Sequence, residues 1–249
     1  MQYVRRYALI GIVTVALLMG TRFLVGNTIE FDGEGEEIGR QTIIEKVLGK
    51  KESATPRQNP LPNPPKVING IYLTAWSAGV ESVIQGVIER SKHSEINAVV
   101  IDVKDFTGTL SYHTDIKKVN EYEASKGRIK DINRVIKTFH DAGIYVIARI
   151  TVFQDPILAL NRPDLAIHDL KKISSSTPIS SSTIWLDNHG LGWIDPAARD
   201  AWDYVLEIAE DAADRGFDEL NFDYIRFPSD KGIENTHFLS WDEKTLREN

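Results

Sequence analysis

The sequence predicts an α/β fold in which parallel strands alternate with helices and curve into a barrel. From Val67 onward, apolar runs of strand length alternate with amphipathic segments of helix length. This repeated order implies a parallel sheet with right-handed crossovers. Polar residues follow all four apolar runs, as the catalytic face of a (β/α)8 barrel requires. No glycine-rich phosphate loop follows the first run, which weakens the alternative of an open, doubly wound sheet.

Each element is predicted from a local pattern. The four strands are short apolar runs, and the first three helices carry apolar residues three and four positions apart. The strands are predicted at residues 71–76, 98–103, 144–150 and around Phe222, and the helices at residues 79–91, 129–142 and 196–215. Asp195 is predicted to cap the third helix, with Pro196 at its first position. Residues 164–193 are predicted to be irregular, and the closing residues from position 238 are predicted to begin a further helix.

Composition excludes several classes of function. The 249 residues include 29 Lys and Arg against 36 Asp and Glu, a net charge of −7, which argues against nucleic-acid binding. The absence of cysteine excludes disulfides, thiolate chemistry and cysteine-ligated zinc. The six histidines form no HExxH pair, which argues against a zinc hydrolase. No spacing of aspartates requires Mg²⁺ or Ca²⁺, so neither a metal nor a cofactor is predicted.

The N-terminal segments are predicted to deliver the domain to the outside of a membrane. Residues 1–26 place Arg5 and Arg6 before an apolar run, which predicts a signal anchor with its basic end in the cytoplasm. A cleaved signal peptide and a buried core helix are the alternatives. Residues 27–66 are acidic and then proline-rich, as in an extended linker. Residues 67–249 form the predicted domain, which is expected to be membrane-anchored on the extracytoplasmic side or secreted.

The fourth strand ends in an unusual set of polar side chains. Residues 217–228 read FDELNFDYIRFP and place Asn221, Asp223, Tyr224 and Arg226 around the strand end. A strand buried on both faces is nearly all apolar, so this set indicates the rim of an active site. The alternative hypothesis is a structural ion pair between Asp223 and Arg226 or another base.

Five motifs in this order resemble one known family. They are GIYLTAWSAG (70–79), VVIDVKD (99–105) followed by Gly108, IYVIARITVFQDP (144–156), WIDP (193–196) and FDELNFDYIRFP. They are similar to those of a family of predicted glycoside hydrolases among bacterial TIM-barrel proteins, formerly a domain of unknown function and distantly α-amylase-like. The resemblance implies a (β/α)8 barrel. Because only four strands can be placed before Asn249, about the first four β/α units are expected here.

The resemblance also implies a role for Asp223. It places this carboxylate at the end of strand four, where the nucleophile or base of such a hydrolase is expected. The general acid is expected at the end of a fifth strand, beyond Asn249, so this chain alone is predicted to lack it. The predicted function is hydrolysis of an envelope or extracellular polysaccharide. The alternative is a membrane-tethered barrel that binds carbohydrate or acts as a scaffold without catalysis.

Eight further residues are candidates for binding the oligosaccharide. They lie at or near the strand ends and offer aromatic, charged or amide groups: Tyr72, Trp76, Asp102, Lys104, Arg149, Trp193, Asn221 and Arg226. Exposed rings would stack against sugar faces. Three alternatives stay open: core packing for Tyr72, an internal ion pair between Asp102 and Lys104, and a role for Arg149 as the charge partner of Asp223.

Overall fold

A computed structural model describes residues 54–174 and 176–241 of the chain. These residues all lie in the second of the two units into which the chain divides, Lys51–Asn249. The predicted anchor at residues 1–26, and residues 27–53 of the predicted linker, lie outside the described residues. Within the described part, no helix combines the length and the apolar character needed to cross a bilayer.

A parallel sheet of four strands forms the centre of the domain. Its order is β1–β2–β3–β5, where β1 is Gly70–Leu73, β2 is Ala98–Lys104, β3 is Tyr145–Thr151 and β5 is Glu219–Asp223. Two short strands, β4 (Ile167–Asp169) and β6 (Thr236–Phe238), form a separate antiparallel pair. The parallel order confirms the predicted alternation of strands and helices. Among the described residues β1 and β5 are the edges of an open sheet, so no closed barrel is observed.

Three longer helices connect consecutive strands of the sheet. The α-helices are α1 (Ala75–Ala78), α2 (Glu81–Ser91), α3 (Lys117–Glu121), α4 (Ile132–Asp141), α5 (Pro156–Asn161) and α6 (Arg199–Arg215). Helices α2, α4 and α6 are the crossovers that precede β2, β3 and β5. They correspond to the three predicted helices, and Gly216 ends α6 in the left-handed conformation that glycine adopts most readily.

The two faces of the sheet differ in character. Alternate residues of a strand point to opposite faces, and the face that joins the helix core carries fully buried apolar side chains: Val99, Ile101, Val146, Ala148 and Ile150. The opposite face carries polar groups near the strand ends, including Asp102, Arg149 and Asn221. The helices therefore pack on one face of the sheet, and the polar side chains point to the other.

The first strand is shorter than the sequence predicts. It ends at Leu73, and the hydroxyl of Thr74 accepts the backbone N–H of Ser77 at 3.2 Å, which caps helix α1. A threonine in this position satisfies one of the free N–H groups of a helix start and so favours a helix over continued strand. Trp76 therefore lies on a short helix, and the prediction that it belongs to the first strand is wrong.

The predicted start of the third helix is also wrong. Helix α6 begins at Arg199, and the buried carboxylate of Asp195 instead accepts the backbone N–H groups of Ala197 at 2.9 Å and Ser240 at 2.8 Å. Asp195 thus joins the loop before α6 to the end of the described chain. The predicted irregular stretch, residues 164–193, contains strand β4, and Phe238 belongs to β6 rather than to a helix.

Gly108 is a position at which we expect alanine to be poorly tolerated. Its φ is +78°, and an added Cβ would collide with Oδ1 of Asp155, a buried atom that accepts the N–H of Leu158. The left-handed conformation alone costs roughly 1–2 kcal/mol for a residue with a side chain. We therefore predict that Gly108→Ala lowers the free energy of unfolding by at least about 2 kcal/mol, measured by urea denaturation.

Gly86 provides the matched control for this prediction. It lies inside helix α2, and an added Cβ would have no heavy atom within 4 Å. Alanine is preferred to glycine in a helix by roughly 0.8–1 kcal/mol, so Gly86→Ala should raise stability slightly. Equal stability of the two variants would contradict the account of Gly108.

Candidate active site

Four side chains form a hydrogen-bonded row across the carboxyl ends of the sheet. The Tyr72 hydroxyl donates to Oδ2 of Asp102, and Nη1 of Arg149 donates to Oδ1 of Asp102 at 2.6 Å. The same guanidinium contacts Oδ2 of Asp223 through Nε at 2.8 Å and Nη2 at 2.6 Å. One residue of the row comes from each strand, in the order β1, β2, β3 and β5. We call these four residues the polar row.

The register of the sheet brings these residues together. Asp102 is paired with Arg149 across β2 and β3, and Arg149 is paired with Asn221 across β3 and β5. Asp223 is two positions further along β5 than Asn221, so it points to the same face. The carboxyl ends of parallel strands meet at one edge of a sheet, and this edge is where α/β proteins place their ligands.

Asp223 is the carboxylate of the polar row that is open to solvent. Its side chain is 44% exposed, whereas that of Asp102 is almost fully buried. Partial burial acts to raise the pKa of Asp223, but the N–H of Tyr224 and the guanidinium groups of Arg149 and Arg226 outweigh it, and the pKa lies below its usual value. Asp223 is therefore an ionised and accessible group at neutral pH.

Tyr224 contributes to this environment through its backbone. Its φ is 55°, an uncommon conformation for a residue other than glycine. Tyr224 directly follows β5, and its N–H donates to Oδ1 of Asp223 at 2.6 Å. A backbone conformation of this kind is unfavourable and persists only where surrounding contacts hold it. Here it holds one oxygen of Asp223 while Arg149 holds the other.

Tyr72 lies on the surface of the site rather than in the core. Half of the residue is exposed, and its ring lies 5.6 Å from the guanidinium carbon of Arg149. Partial burial and then the hydrogen bond to Asp102 raise the pKa of Tyr72 to about 12. The phenol therefore remains protonated and continues to donate to Asp102. The alternative of core packing for Tyr72 does not describe this position.

Lys104 does not reach the site, which corrects the prediction that it binds substrate. A β-bulge between Asp102 and Lys104 turns the lysine away from the polar row. Its ammonium group is fully buried, pairs with Asp155 at 2.9 Å and donates to the carbonyl oxygen of Thr151 at 2.7 Å. The alternative, an ion pair between Asp102 and Lys104, is not observed either, since each residue has another partner.

Trp193 also lies elsewhere than the sequence predicts, since its ring was expected to be exposed for stacking on a sugar. Its indole is buried, although it lies in a loop, because its N–H donates to Oδ2 of Asp187 at 3.0 Å and Gln154 donates to the same oxygen at 2.8 Å. The ring therefore offers no exposed face to a sugar. It instead packs at 6.0 Å from the ring of Tyr224 and supports the guanidinium of Arg226 at 5.0 Å.

The remaining predicted residues, Trp76, Asn221 and Arg226, are exposed. Trp76 is 68% exposed, and Arg128 packs against its ring at 4.8 Å while pairing with Asp105 at 2.5 Å. Asn221 and Arg226 are exposed at the other end, near Asp223. The structure thus places Trp76, Asn221 and Arg226 on accessible surface.

Two residues near the site, Asp187 and Arg128, were not predicted from the sequence. Asp187 accepts the backbone N–H groups of His189 and Leu191, as an aspartate in a turn commonly does. Burial acts to raise the pKa of Asp187, but these bonds and those from Trp193 and Gln154 lower it overall. The sequence DNHG indicates a turn, yet nothing local to it indicates the contact with Trp193. Within the described residues, no group of three His, Asp or Glu side chains could hold a metal ion.

Comparison with known proteins identifies the family. The family model described as "Putative glycosyl hydrolase domain" matches residues 70–248. The chain belongs to this family. It is also similar to a hypothetical protein from Ruminiclostridium thermocellum ATCC 27405 of known crystal structure. The two are 38% identical with a TM-score of 0.61, over 71% of this chain and 85% of that chain.

Other solved structures are more distant from this member of the glycosyl hydrolase domain family. A family GH13_31 enzyme is 15% identical, with a TM-score of 0.36 over 63% of this chain and 36% of that chain. An α-galactosidase from Thermus thermophilus is 14% identical, with a TM-score of 0.41 over 76% and 36%. The chain thus spans about a third of either enzyme, and these similarities are too weak to bear on its function. No curated protein matches the chain.

In a glycosyl hydrolase domain, the arrangement of the carboxylates decides which chemistry the site can support. Glycoside hydrolysis normally uses one carboxylate as nucleophile or base and a second carboxyl group as acid. Asp223 is ionised and accessible. Asp102 is buried and bonded through both oxygens, to Tyr72 and to Arg149, so its position suits orientation of the row rather than proton donation to a leaving group.

Proposed function

We propose that this chain is part of a glycoside hydrolase in which Asp223 acts as nucleophile or base on a polysaccharide. The observation that carries this proposal is the state of Asp223, an exposed carboxylate with a lowered pKa at the end of a parallel strand. Membership of the glycosyl hydrolase domain family supports it. The four strands would be the first four of a (β/α)8 barrel, and the N-terminal segment would hold the domain at or beyond a membrane.

In this mechanism Arg149 and Tyr224 orient Asp223. Arg149 holds Oδ2 and the N–H of Tyr224 holds Oδ1, which fixes the plane of the carboxylate. Oδ2 is contacted by two N–H groups of Arg149, whereas Oδ1 accepts one N–H and keeps a further lone pair for the reaction. Asp223 would either form a bond to the anomeric carbon as the glycosidic bond breaks, or take a proton from the attacking water. The acid that protonates the leaving oxygen is proposed to come from a fifth strand.

The rest of the polar row would serve binding and alignment. Asp102 fixes Arg149 from the side opposite to Asp223, and Tyr72 fixes Asp102. The exposed rings of Trp76 and Tyr72 offer surfaces against which sugar faces can stack. Asn221 offers an amide for hydroxyl groups beside Asp223. This division places Arg149, Asp102 and Tyr72 in positioning roles, with Asp223 as the reacting group.

A second candidate function is carbohydrate binding without hydrolysis. One observation favours it: among the described residues near Asp223, the other carboxylate of the polar row is buried and fully bonded. A site with one accessible carboxylate can bind and orient a glycan without cleaving it.

The test that separates the two candidates uses substrates that need no acid. Dinitrophenyl glycosides carry a leaving group that departs without protonation, so a nucleophile alone should release dinitrophenolate. We expect the chain to release it from at least one glycoside in a panel of pyranosides. If the chain binds a polysaccharide but releases dinitrophenolate from none of the glycosides, carbohydrate binding is supported and hydrolysis is ruled out.

Loss of Arg149 should move the pH dependence of this reaction. Arg149 lowers the pKa of Asp223, so Arg149→Gln should raise that pKa and shift the acidic limb of kcat/KM to higher pH. Because the pKa in the folded state is depressed, the stabilising effect of the pair is complete above the ordinary carboxyl pKa and is lost as pH falls through the lowered value. Carbon-13 NMR of the Asp223 carboxyl would measure the pKa without relying on activity.

Arg128→Gln is the control for this prediction. Arg128 pairs with Asp105 and stacks on Trp76, and it makes no contact with Asp223. The Asp223 titration should therefore be unchanged in this variant. An Asp223 pKa that moves equally in both variants, or in neither, would contradict the assigned role of Arg149.

A further inference from the structure

Arg226 is held beside Asp223 by two aromatic rings. Its guanidinium carbon lies 5.0 Å from the ring of Trp193 and 5.1 Å from the ring of Tyr224. Trp193 is itself fixed by its hydrogen bond to Asp187, and the backbone of Tyr224 is held by its N–H bond to Asp223. Cation–π contacts of this kind orient an arginine and attract its charge. The guanidinium is thus positioned although the residue is exposed.

Among the described residues, Arg226 has no carboxylate in contact with it, unlike the other arginines of the site. Arg149 pairs with Asp102 and Asp223, and Arg128 pairs with Asp105. In the part of the chain that the structure describes, no carboxylate forms an ion pair with Arg226. Its one hydrogen bond there runs from Nη1 to the carbonyl oxygen of Phe227 at 3.1 Å. A guanidinium has five N–H donors, so most of them have no hydrogen-bond partner among the described residues.

This local charge contrasts with the charge of the whole protein. The chain carries a net charge of −7, which repels an anionic polymer at long range. A guanidinium that is already oriented, and whose donors are unused, is the group that binds a carboxylate through two parallel hydrogen bonds. The guanidinium carbons of Arg226 and of Arg149, the partner of Asp223, lie 5.1 Å and 5.9 Å from the same ring, that of Tyr224. A sugar placed at Asp223 would therefore bring its substituents close to Arg226.

We propose that Arg226 binds the carboxylate of an acidic sugar, so that the substrate class is a polysaccharide containing uronic acid. This inference rests on the proposed function, because it places the glycan at Asp223. It adds what that function leaves open, namely the chemical class of the sugar. A neutral glycan would offer the guanidinium hydroxyl oxygens but no charged, bidentate acceptor, and discrimination between the two classes would arise there.

The test compares each acidic polymer with its neutral counterpart. Polygalacturonate, alginate and hyaluronate would each be measured beside the carboxyl-reduced form, in which every carboxylate has become a primary alcohol and the linkage is unchanged. Affinity electrophoresis reports binding without requiring hydrolysis. We expect at least one acidic polymer to bind about tenfold more tightly than its reduced form, as a charge-assisted bidentate contact implies, and the preference to weaken with added salt.

Three variants locate the effect. Arg226→Gln should abolish the preference, and Arg226→Lys should retain part of it, because lysine keeps the charge but not the planar fork. Arg199→Gln is the matched control, since Arg199 also stacks on a tryptophan, Trp202, at 4.4 Å on helix α6. The Arg199→Gln variant should prefer acidic polymers as strongly as the unmodified chain does. The proposal is overturned if no acidic polymer binds better than its reduced form, or if the preference survives in Arg226→Gln.

The outcome is independent of catalysis. A preference that depends on Arg226, without release of dinitrophenolate from any glycoside, would remove the hydrolytic function and leave the assignment of the sugar class to a binding site. Release of dinitrophenolate without a preference for acidic polymers would remove the present inference and leave hydrolysis in place.

Discussion

Asp223→Asn is expected to abolish turnover, measured as the initial release of dinitrophenolate from dinitrophenyl glycosides, while the fold stays intact. The amide has nearly the shape of the carboxylate but lacks its charge, so it neither attacks an anomeric carbon nor accepts a proton from water. Loss of a central catalytic group reduces kcat by roughly 10⁴-fold or more. Because the side chain is 44% exposed, the change in stability should be no more than about 1 kcal/mol. Initial rates and thermal unfolding measure the two quantities separately.

Glu219→Gln is the control for this experiment. Glu219 lies on the same strand, β5, points to the same face as Asp223 and is exposed. It begins the strand, at the end of the sheet opposite to the polar row, so turnover should be unchanged. Equal turnover in Asp223→Asn and the unmodified chain would show that another group carries the reaction.

Chemical rescue distinguishes the nucleophile from the base. Asp223→Gly leaves space beside the anomeric carbon, and added azide can occupy that space and form a glycosyl azide. A product with inverted configuration relative to the substrate, from an enzyme that otherwise retains configuration, assigns Asp223 as the nucleophile. If the unmodified chain instead inverts the configuration of its substrate, Asp223 is assigned as the base.

Lys104→Met is expected to have the largest effect on stability. The substitution leaves the carboxylate of Asp155 fully buried and without its cation. Removal of one partner from a buried ion pair costs about 3–5 kcal/mol. It also removes the donor to the carbonyl oxygen of Thr151, the last residue of β3. Urea denaturation should therefore show a decrease of at least about 3 kcal/mol in the free energy of unfolding.

Two further variants test the cause of that decrease. In the Lys104→Met background, Asp155→Asn removes the uncompensated charge but keeps an oxygen that can cap helix α5 through the N–H of Leu158. This double variant should recover part of the lost stability. Lys137→Met breaks an exposed pair with Asp141, which should cost less than about 0.5 kcal/mol. An equal cost for Lys104→Met and Lys137→Met would contradict the account of the buried pair.

The order of strands and helices was predictable because the patterns that encode it are local. Short apolar runs predicted β2, β3 and β5, and apolar residues at helical spacing predicted α2 and α4. The boundaries were less predictable where one side chain decides them. The Thr74 hydroxyl ends the first strand by capping α1, whereas Asp195, which has the same capping chemistry, bonds Ala197 and Ser240 instead.

The sequence by itself determined that polar groups, Asp102, Arg149 and Asp223 among them, follow the ends of parallel strands, since strand period and strand end can be read within a few residues. Only the tertiary structure decided their partners. Arg149 lies 47 residues from Asp102 and 74 residues from Asp223, and the register of three strands selects both contacts. A single bulge sends Lys104 into the core, and a loop contact with Asp187 buries Trp193. Contacts between residues distant in the chain depend on how the strands pair, which local patterns do not encode.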